Sequence, residues 1–333
     1  MRLGLMLGYW MPDPWDPTDL VVEAERLGYD SAWTAEAYGS DVFSPLCWIG
    51  ARTARIKLGT AIMQISARTP ACAAMTAATI DQLSGGRLLL GIGVSGPQVV
   101  EGWYGQPFPR PLERTREFID LFRAMVRREG PVTYAGRHYR LPYPGGAGLG
   151  KPLKLIQKPL RREIPLYLGA EGPKNVALAA ERCDGWLPLF FSPYRSPALY
   201  ADALRHAKPG FEIACTVQVV VNDDVAAALL PVKWMLGFYI GGMGAKEHNF
   251  HANLIGRMGF EEAARKVQEL FLAGKREEAV AAVPDELADE IALVGSRERI
   301  RDRLQAWEAS PVTTILSGAR DLATVRMLAE LIQ

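Results

Sequence analysis

Two short glycine-containing segments of this 333-residue chain have the composition of an anion-binding loop. One contains Ser95-Gly96, and the other is Gly169-Ala170-Glu171-Gly172-Pro173, which leads into a helical pattern. Glycine lets backbone N–H groups approach an anion, and proline at a first helical position removes no donor that the helix needs. The two segments therefore predict either a phosphate cradle or, more simply, two tight turns between strands and helices.

Two other glycine patterns resemble nucleotide motifs only by their letters. Residues 91–96 read Gly-Ile-Gly-Val-Ser-Gly, but Pro97 and further glycines and prolines follow where a dinucleotide fold needs a long helix. An NAD-dependent Rossmann dehydrogenase is thus a disfavoured alternative. Residues 145–151 match GxxxxGK, but Pro152 replaces the Ser or Thr that would hold magnesium. The pattern argues against a P-loop nucleotidase.

The sequence has few of the residue patterns that metal sites and hydrolases require. His248 and His251 stand three apart, but a zinc site needs further ligands that no spacing supplies. The four cysteines form no CxxC, so we expect no metal, reduced thiols and a cytoplasmic location. Glu36 and Glu171 are the only acids at predicted strand ends that could form a glycosidase pair, and Glu171 begins a phosphate-type turn.

The elements that must position these residues alternate between short apolar runs and helical patterns. Strands are predicted near residues 3, 31, 56, 87, 164, 185, 211 and 312, the third spanning 56–64. Eight nearly continuous apolar strands, each followed by helix, predict a (β/α)8 TIM barrel. We expect one domain over residues 1–333, with insertions near 131–160 (a hairpin) and 223–292 (helical, including a helix over 285–292).

Composition excludes several function classes. The chain has 38 basic and 37 acidic residues, a net charge of +1, and no basic block, so we expect no nucleic-acid partner. We find no apolar run of about 18 residues and expect no membrane span. A barrel places function at the carboxyl ends of its strands, where Tyr9, Trp10, Glu36, Gln64 and Gln98 are predicted to lie.

Five segments together carry a resemblance that covers nearly the whole chain in order. They are 59–64 (Gly-Thr-Ala-Ile-Met-Gln), 83–87 (Leu-Ser-Gly-Gly-Arg), 90–98 (Leu-Gly-Ile-Gly-Val-Ser-Gly-Pro-Gln), 168–173 (Leu-Gly-Ala-Glu-Gly-Pro) and 239–245 (Tyr-Ile-Gly-Gly-Met-Gly-Ala). The sequence resembles the bacterial luciferase-like superfamily, and within it the branch of coenzyme F420-dependent oxidoreductases.

The resemblance implies a deazaflavin or flavin at the strand ends. It also implies a cis peptide between Ala61 and Ile62 that supports the cofactor ring. The cofactor phosphate would lie against Ser95, Gly96, Ala170, Glu171 and Gly172, in agreement with the predicted cradle. Further polar contacts to the ring or tail would come from Gln64 and Gln98, while Tyr9 and Trp10 would wall the substrate side.

The sequence departs from the sugar-phosphate dehydrogenases of this superfamily. They carry Asp-His at the end of the second strand, where this chain has Glu36-Ala37, and a Glu after the fourth strand, where it has Gly96-Pro97. A sugar phosphate is therefore disfavoured as substrate. Glu36 remains the candidate for proton transfer, with a cofactor contact or a structural role as alternatives.

We expect a hydride-transfer oxidoreductase that uses coenzyme F420 and acts on a C=C, C=N or C=O bond of a small molecule. One alternative is an FMN-dependent monooxygenase of the same fold, and another is a non-catalytic flavin-binding protein. The resembling family also makes a homodimer the expected assembly.

Overall fold

The structure is a computed structural model that describes residues 1–9, 12, 15–243 and 249–332. Its strands, in chain order, are β1 (Arg2–Gly8), β2 (Ser31–Thr34), β3 (Lys57–Thr60), β4 (Met63–Gln64), β5 (Leu88–Gly93), β6 (Tyr134–Ala135), β7 (Arg140–Leu141), β8 (Leu166–Gly169), β9 (Gly185–Leu187), β10 (Glu212–Val221), β11 (Ala292–Gly295) and β12 (Thr314–Ser317).

Helices connect most of these strands. They are α1 (Thr18–Arg26), α2 (Phe43–Gly50), α3 (Pro70–Leu83), α4 (Pro97–Gly102), α5 (Pro111–Arg127), α6 (Pro173–Arg182), α7 (Ser196–Leu204), α8 (Val225–Gly242), α9 (Phe250–Ile255), α10 (Glu261–Leu272), α11 (Arg276–Ala281), α12 (Asp285–Glu290), α13 (Arg297–Glu308) and α14 (Leu322–Leu331). A single π-helical turn, Gly256–Phe260, separates α9 from α10.

Parallel strands close into a barrel in the order β1-β2-β3-β5-β8-β9-β10-β12, and β12 pairs back to β1. Apolar side chains cover both faces of this wall, so strands such as β5 are buried at every position. Inside the barrel the rings of Trp33 and Tyr167 meet edge to face with centroids 5.3 Å apart. The predicted (β/α)8 barrel is confirmed.

The third barrel strand is shorter than predicted. A continuous strand over 56–64 was expected, but β3 ends at Thr60 and β4 resumes at Met63, where it pairs with β5. The break falls at a cis peptide between Ala61 and Ile62. Both β3 and β4 pair in parallel with β5, so the chain keeps its direction across the break.

The insertion at 131–160 contains the predicted hairpin. Strands β6 and β7 pair antiparallel, with Tyr134 opposite Leu141. The buried carboxylate of Glu117, on α5, accepts the backbone N–H groups of Arg137, His138 and Tyr139 at 2.8–3.0 Å. One side chain of the barrel therefore fixes the turn of the hairpin.

The second insertion is helical, as predicted, except at its end. The predicted helix over 285–292 was wrong at its last two residues, because α12 ends at Glu290 and Ala292 begins strand β11. Strand β10 is ten residues long, and its second half pairs in parallel with β11. Short apolar runs such as 292–295 suit a strand or a helix equally by pattern, and here the unpaired half of β10 selects the strand.

Helix α8 is long and apolar enough, by length and composition, to cross a membrane, and no other helix of the described ranges is. It contains Pro231 and packs against α10, α11 and α12 within the insertion. Buried core helices share this composition, so the helix is weak evidence for a membrane span.

Candidate functional site

The cis peptide between Ala61 and Ile62 places an aliphatic side chain at the mouth of the barrel. A Cβ added at Gly93 would lie 2.3 Å from Ile62 Cδ1, and one at Gly169 would lie 2.8 Å from Ile62 Cγ2. Strands β5 and β8 end in glycine here because Ile62 occupies the space above them. The implied cis bond is confirmed, whereas its contact with a cofactor ring remains a prediction.

Glu36 follows β2 and is tied to neighbouring groups. Its carboxylate accepts two hydrogen bonds from Arg68 Nη1, at 2.7 and 2.8 Å, and one from the backbone N–H of Gln64 at 3.0 Å. The Gln64 side-chain amide donates in turn to the Glu36 carbonyl at 2.9 Å. This geometry favours a positioning role for Glu36, and its predicted catalytic role stays a prediction.

The side-chain amide of Gln64 is buried and only partly hydrogen-bonded. Its side chain is 1% exposed, and its Oε1 atom is buried without a hydrogen-bond partner in the described chain. Buried acceptors normally have a donor, because leaving one unmade costs about 1–3 kcal/mol. Gln64 follows Ile62 by two residues, so its open acceptor lies close in the chain to the predicted ring support.

The two predicted cradle segments both precede helices. Gly96 caps α4 and Gly172 caps α6, and neither helix has a side-chain cap on its free N–H groups. Ser95 adopts a left-handed backbone conformation with φ of 60°. Helix α4 has six residues and α6 has ten, so α6 offers the stronger anion-binding terminus.

The remaining loop residues hold the α6 terminus in place. Ala170 is buried, and its carbonyl accepts the Trp186 indole N–H at 2.7 Å. The Glu171 carbonyl accepts from the Tyr200 hydroxyl at 2.6 Å and from Arg257 at 2.9 Å. Gln98 is exposed on α4.

The side chain of Glu171 pairs with a histidine of the helical insertion. Its Oε1 lies 2.7 Å from His251 Nδ1, and its Oε2 is buried without a partner among the described residues. A carboxylate would also repel a phosphate. If Glu171 contributes to the predicted cradle, it does so through its backbone.

Aromatic side chains from helix α8 and from the loop after β9 contact the His251 ring of this pair. Tyr239, on α8, meets the His251 ring edge to face at 4.8 Å and the Phe190 ring at 5.4 Å. Burial raises the pKa of Tyr239, and the nearby Tyr9, Glu171 and Tyr38 raise it further. Burial likewise raises the pKa of Tyr9, with a contribution from Tyr38.

Both hydroxyls are therefore protonated at physiological pH. Tyr9 follows β1 directly, and its role as a wall of the substrate site stays a prediction. Its predicted companion, Trp10, lies outside the described residues, as does His248.

Sequence reasoning missed the partners of His251. The spacing of His248 and His251 drew attention only to a possible metal pair, and in the described ranges no group of three His, Cys, Asp or Glu could hold a metal ion. No pattern in the sequence shows that α9 returns to the barrel beside Glu171. Phe190 could have been found, because it follows closely on β9.

In a (β/α)8 barrel, polar groups and uncapped helix N-termini at the carboxyl end of the strands are typical of an enzyme active site. Residues 7–314 match the model of the luciferase-like monooxygenase family. The chain belongs to this family and is an enzyme of it.

One relative, from Mycobacterium tuberculosis strain H37Rv, is named "Putative coenzyme F420-dependent oxidoreductase Rv3520c". It is 53% identical, over 100% of this chain and 99% of the relative.

Two solved structures share the fold. A coenzyme F420-dependent tetrahydromethanopterin reductase from Methanopyrus kandleri superimposes with a TM-score of 0.77 at 22% identity, over 99% of this chain and 97% of the other. The oxygenating component of 3,6-diketocamphane monooxygenase, encoded on a Pseudomonas putida plasmid and bound to FMN, gives 0.65 at 19% identity, over 100% and 96%.

Proposed function

We propose that this protein transfers a hydride between coenzyme F420 and a C=C, C=N or C=O bond of a small organic substrate. The observation that carries the proposal is the 53% identity, over the full length, to a relative named for F420 dependence. The bound deazaflavin would supply a carbon that donates or accepts the hydride. The protein would orient the two reactants and exclude water between them.

Ala61 and Ile62 would support one face of the cofactor ring. The Ile62 side chain is half-buried above Gly93 and Gly169, so its outer surface is available to pack on a flat ring. The unpaired Gln64 Oε1 could accept a hydrogen bond from a ring N–H. Ile62 would thus provide an apolar surface and Gln64 a hydrogen-bond acceptor, and a deazaflavin ring can use both.

The cofactor phosphate would lie at the α6 terminus. Gly172 leaves open space where a side chain would stand, and the first N–H groups of α6 have no side-chain cap. Arg257, exposed and bonded to the Glu171 carbonyl, adds positive charge to the same loop. Ser95, Gly96 and Gln98 would complete the contacts from α4, and Ala170 would hold the loop through Trp186.

FMN-dependent oxygenation is the second candidate, because an FMN-bound monooxygenase shares the fold over the whole chain. A ring support and a phosphate terminus serve either cofactor. A protein that binds a flavin without turnover is disfavoured, because the chain belongs to an enzyme family.

Titration of the purified protein with coenzyme F420 and, separately, with FMN would distinguish these functions. We expect quenching of F420 fluorescence with micromolar or tighter affinity, weak FMN binding, and hydride transfer to an acceptor without oxygen consumption. Preference for FMN with oxygen uptake would establish the monooxygenase. Tight binding without turnover would indicate a binding protein.

We further propose a cytoplasmic homodimer that takes a small-molecule substrate. Light scattering coupled to size-exclusion chromatography would measure the dimer directly, and a mass near 36.6 kDa would instead show a monomer.

A further inference from the structure

The Glu171–His251 pair joins a barrel loop to the helical insertion. Glu171 follows β8 by two residues, and His251 lies in the first turn of α9. The Glu171 Oε1 and His251 Nδ1 atoms are 2.7 Å apart, and the two side chains are only 11% and 17% exposed. This short contact joins two mostly buried side chains that are far apart in the sequence, and it holds the imidazole in one orientation.

The contact also determines which ring nitrogen is free. A carboxylate can only accept a hydrogen bond, so the proton of this bond lies on Nδ1. His251 Nε2 has no hydrogen-bond partner in the described part of the chain. The edges of Phe190 and Tyr239, at 5.8 and 4.8 Å between ring centroids, restrict the ring further. Nε2 is thus the nitrogen left to exchange a proton with another molecule.

The pair lies at the mouth of the barrel. Glu171 is two residues beyond Gly169, which lies directly beneath Ile62. Tyr239, which contacts the His251 ring, is close to Tyr9 from the end of β1. The imidazole therefore stands beside the position where the proposed function places the cofactor ring.

Hydride transfer to a C=O bond, or to a C=C bond conjugated with one, requires a proton as well. The hydride brings two electrons to carbon, the π electrons of the substrate move to oxygen, and the anion that results must be protonated. Glu36 is poorly suited to this role, since Arg68 and a backbone N–H already occupy its oxygens. Burial raises the pKa of Tyr9 and of Tyr239, which makes both hydroxyls weaker proton donors.

We propose that His251, oriented by Glu171 and with a proton on each ring nitrogen, donates the Nε2 proton that completes substrate reduction, becomes the neutral imidazole, and takes a new Nε2 proton from solvent. The proposal rests on the proposed function. In the direction of substrate oxidation, the same nitrogen accepts the proton that leaves the substrate. Glu171 acts here as a positioning residue, which replaces the phosphate contact suggested for it by sequence.

Two hydride acceptors with different proton demand test this role. Cyclohex-2-enone needs a proton after it accepts a hydride, whereas the 10-methylacridinium cation becomes a neutral acridan without one. We would measure single-turnover oxidation of reduced F420 with each acceptor for wild type, His251→Asn and Glu171→Gln. His206→Asn, at an exposed position two residues after α7, is the matched control. F420 affinity by fluorescence is measured for all four proteins.

We expect His251→Asn to slow enone reduction by about 10²–10⁴-fold, the usual contribution of a positioned acid, and to leave the acridinium rate within about threefold. Glu171→Gln should give a smaller loss in the same pattern, and F420 affinity should not change. Equal slowing of both acceptors, weakened F420 binding, or an unaffected enone rate would each overturn the proposal. A wild type that reduces acridinium but no enone also contradicts it, whereas a wild type that fails to bind F420 refutes the proposed function itself.

Discussion

A single guanidinium nitrogen of Arg68 contacts both carboxylate oxygens of Glu36, at 2.7 and 2.8 Å. The second guanidinium nitrogen contacts Asp41. Glu36 is 8% exposed, so Arg68 is the counter-ion of a nearly buried charge at the end of β2. This ion pair joins the loop after β2 to the loop after β4 at the carboxyl end of the barrel strands.

Replacement of this counter-ion should be costly. We expect Arg68→Met to lower the free energy of unfolding by about 3–5 kcal/mol, because it leaves an uncompensated buried carboxylate. Glu36→Gln should cost less, since Arg68 keeps Asp41 as a partner. Urea denaturation at neutral pH measures both, and a larger loss for Glu36→Gln would contradict this account.

The space above Gly93 provides a test of ring support. In Gly93→Ala the new Cβ would lie 2.3 Å from Ile62 Cδ1, the mobile end of a side chain, so Ile62 should turn away while the fold persists. We expect F420 affinity to fall by about tenfold, or 1.4 kcal/mol. The double variant Gly93→Ala/Ile62→Ala should bind no better than the single variant, because both lack the Ile62 support, and unchanged affinity in Gly93→Ala would argue against ring support.

A negative charge should weaken any phosphate held at the cradle. We expect Ser95→Asp to reduce F420 affinity by at least about tenfold, by repulsion between like charges. Ser95→Asn is the matched neutral control, and asparagine tolerates the left-handed backbone seen at this position. Equal affinity in the two variants, measured by fluorescence, would exclude a phosphate there.

The insertion that carries His251 depends on Arg195. The Arg195 Nε atom donates to both oxygens of the buried Glu290, at 3.0 and 2.8 Å, and Nη1 donates to the Met258 carbonyl at 3.2 Å. We expect Arg195→Gln to lower the free energy of unfolding by about 2–3 kcal/mol. It should also slow enone reduction by displacing α9.

The exposed Arg301→Gln is the control for this variant. Normal stability in Arg195→Gln would show that the insertion is held by its apolar contacts instead.

Glu25 predicts a pH dependence of stability. Burial alone would raise the pKa of Glu25, but backbone N–H donors from Ala54, Arg55 and Ile56 outweigh it and hold the pKa below its ordinary value. A lowered folded-state pKa stabilises the protein above the ordinary glutamate pKa, and this stability disappears as pH falls through the folded value.

Glu25→Gln should therefore be less stable than wild type at pH 7, and the difference should shrink near pH 3. Urea denaturation at both values measures it. A difference that is constant with pH would rule out the ionised form as its cause.

The barrel was predictable because its strands are buried on both faces, and their residues are apolar in nearly unbroken runs. The cis bond at Ala61 followed from the resemblance. The sequence could not show that Glu171 turns toward His251, since that contact spans 80 positions and depends on the path of α9. It also could not select a strand for 292–295, because only the length of β10 decides it.

Parallel pairing of β10 with β11 brings the two ends of the helical insertion side by side. Val221 lies opposite Gly295, and the next N–H, of Asn222, bonds to the Gly295 carbonyl at 3.0 Å. Everything between them departs from and returns to one point on the barrel. The entropy of closing a loop between fixed ends depends only weakly on its length. Related barrels can therefore carry different segments at this point. Under the proposed function, a change in this segment would alter the surroundings of His251 while the strands of the barrel keep their pairing.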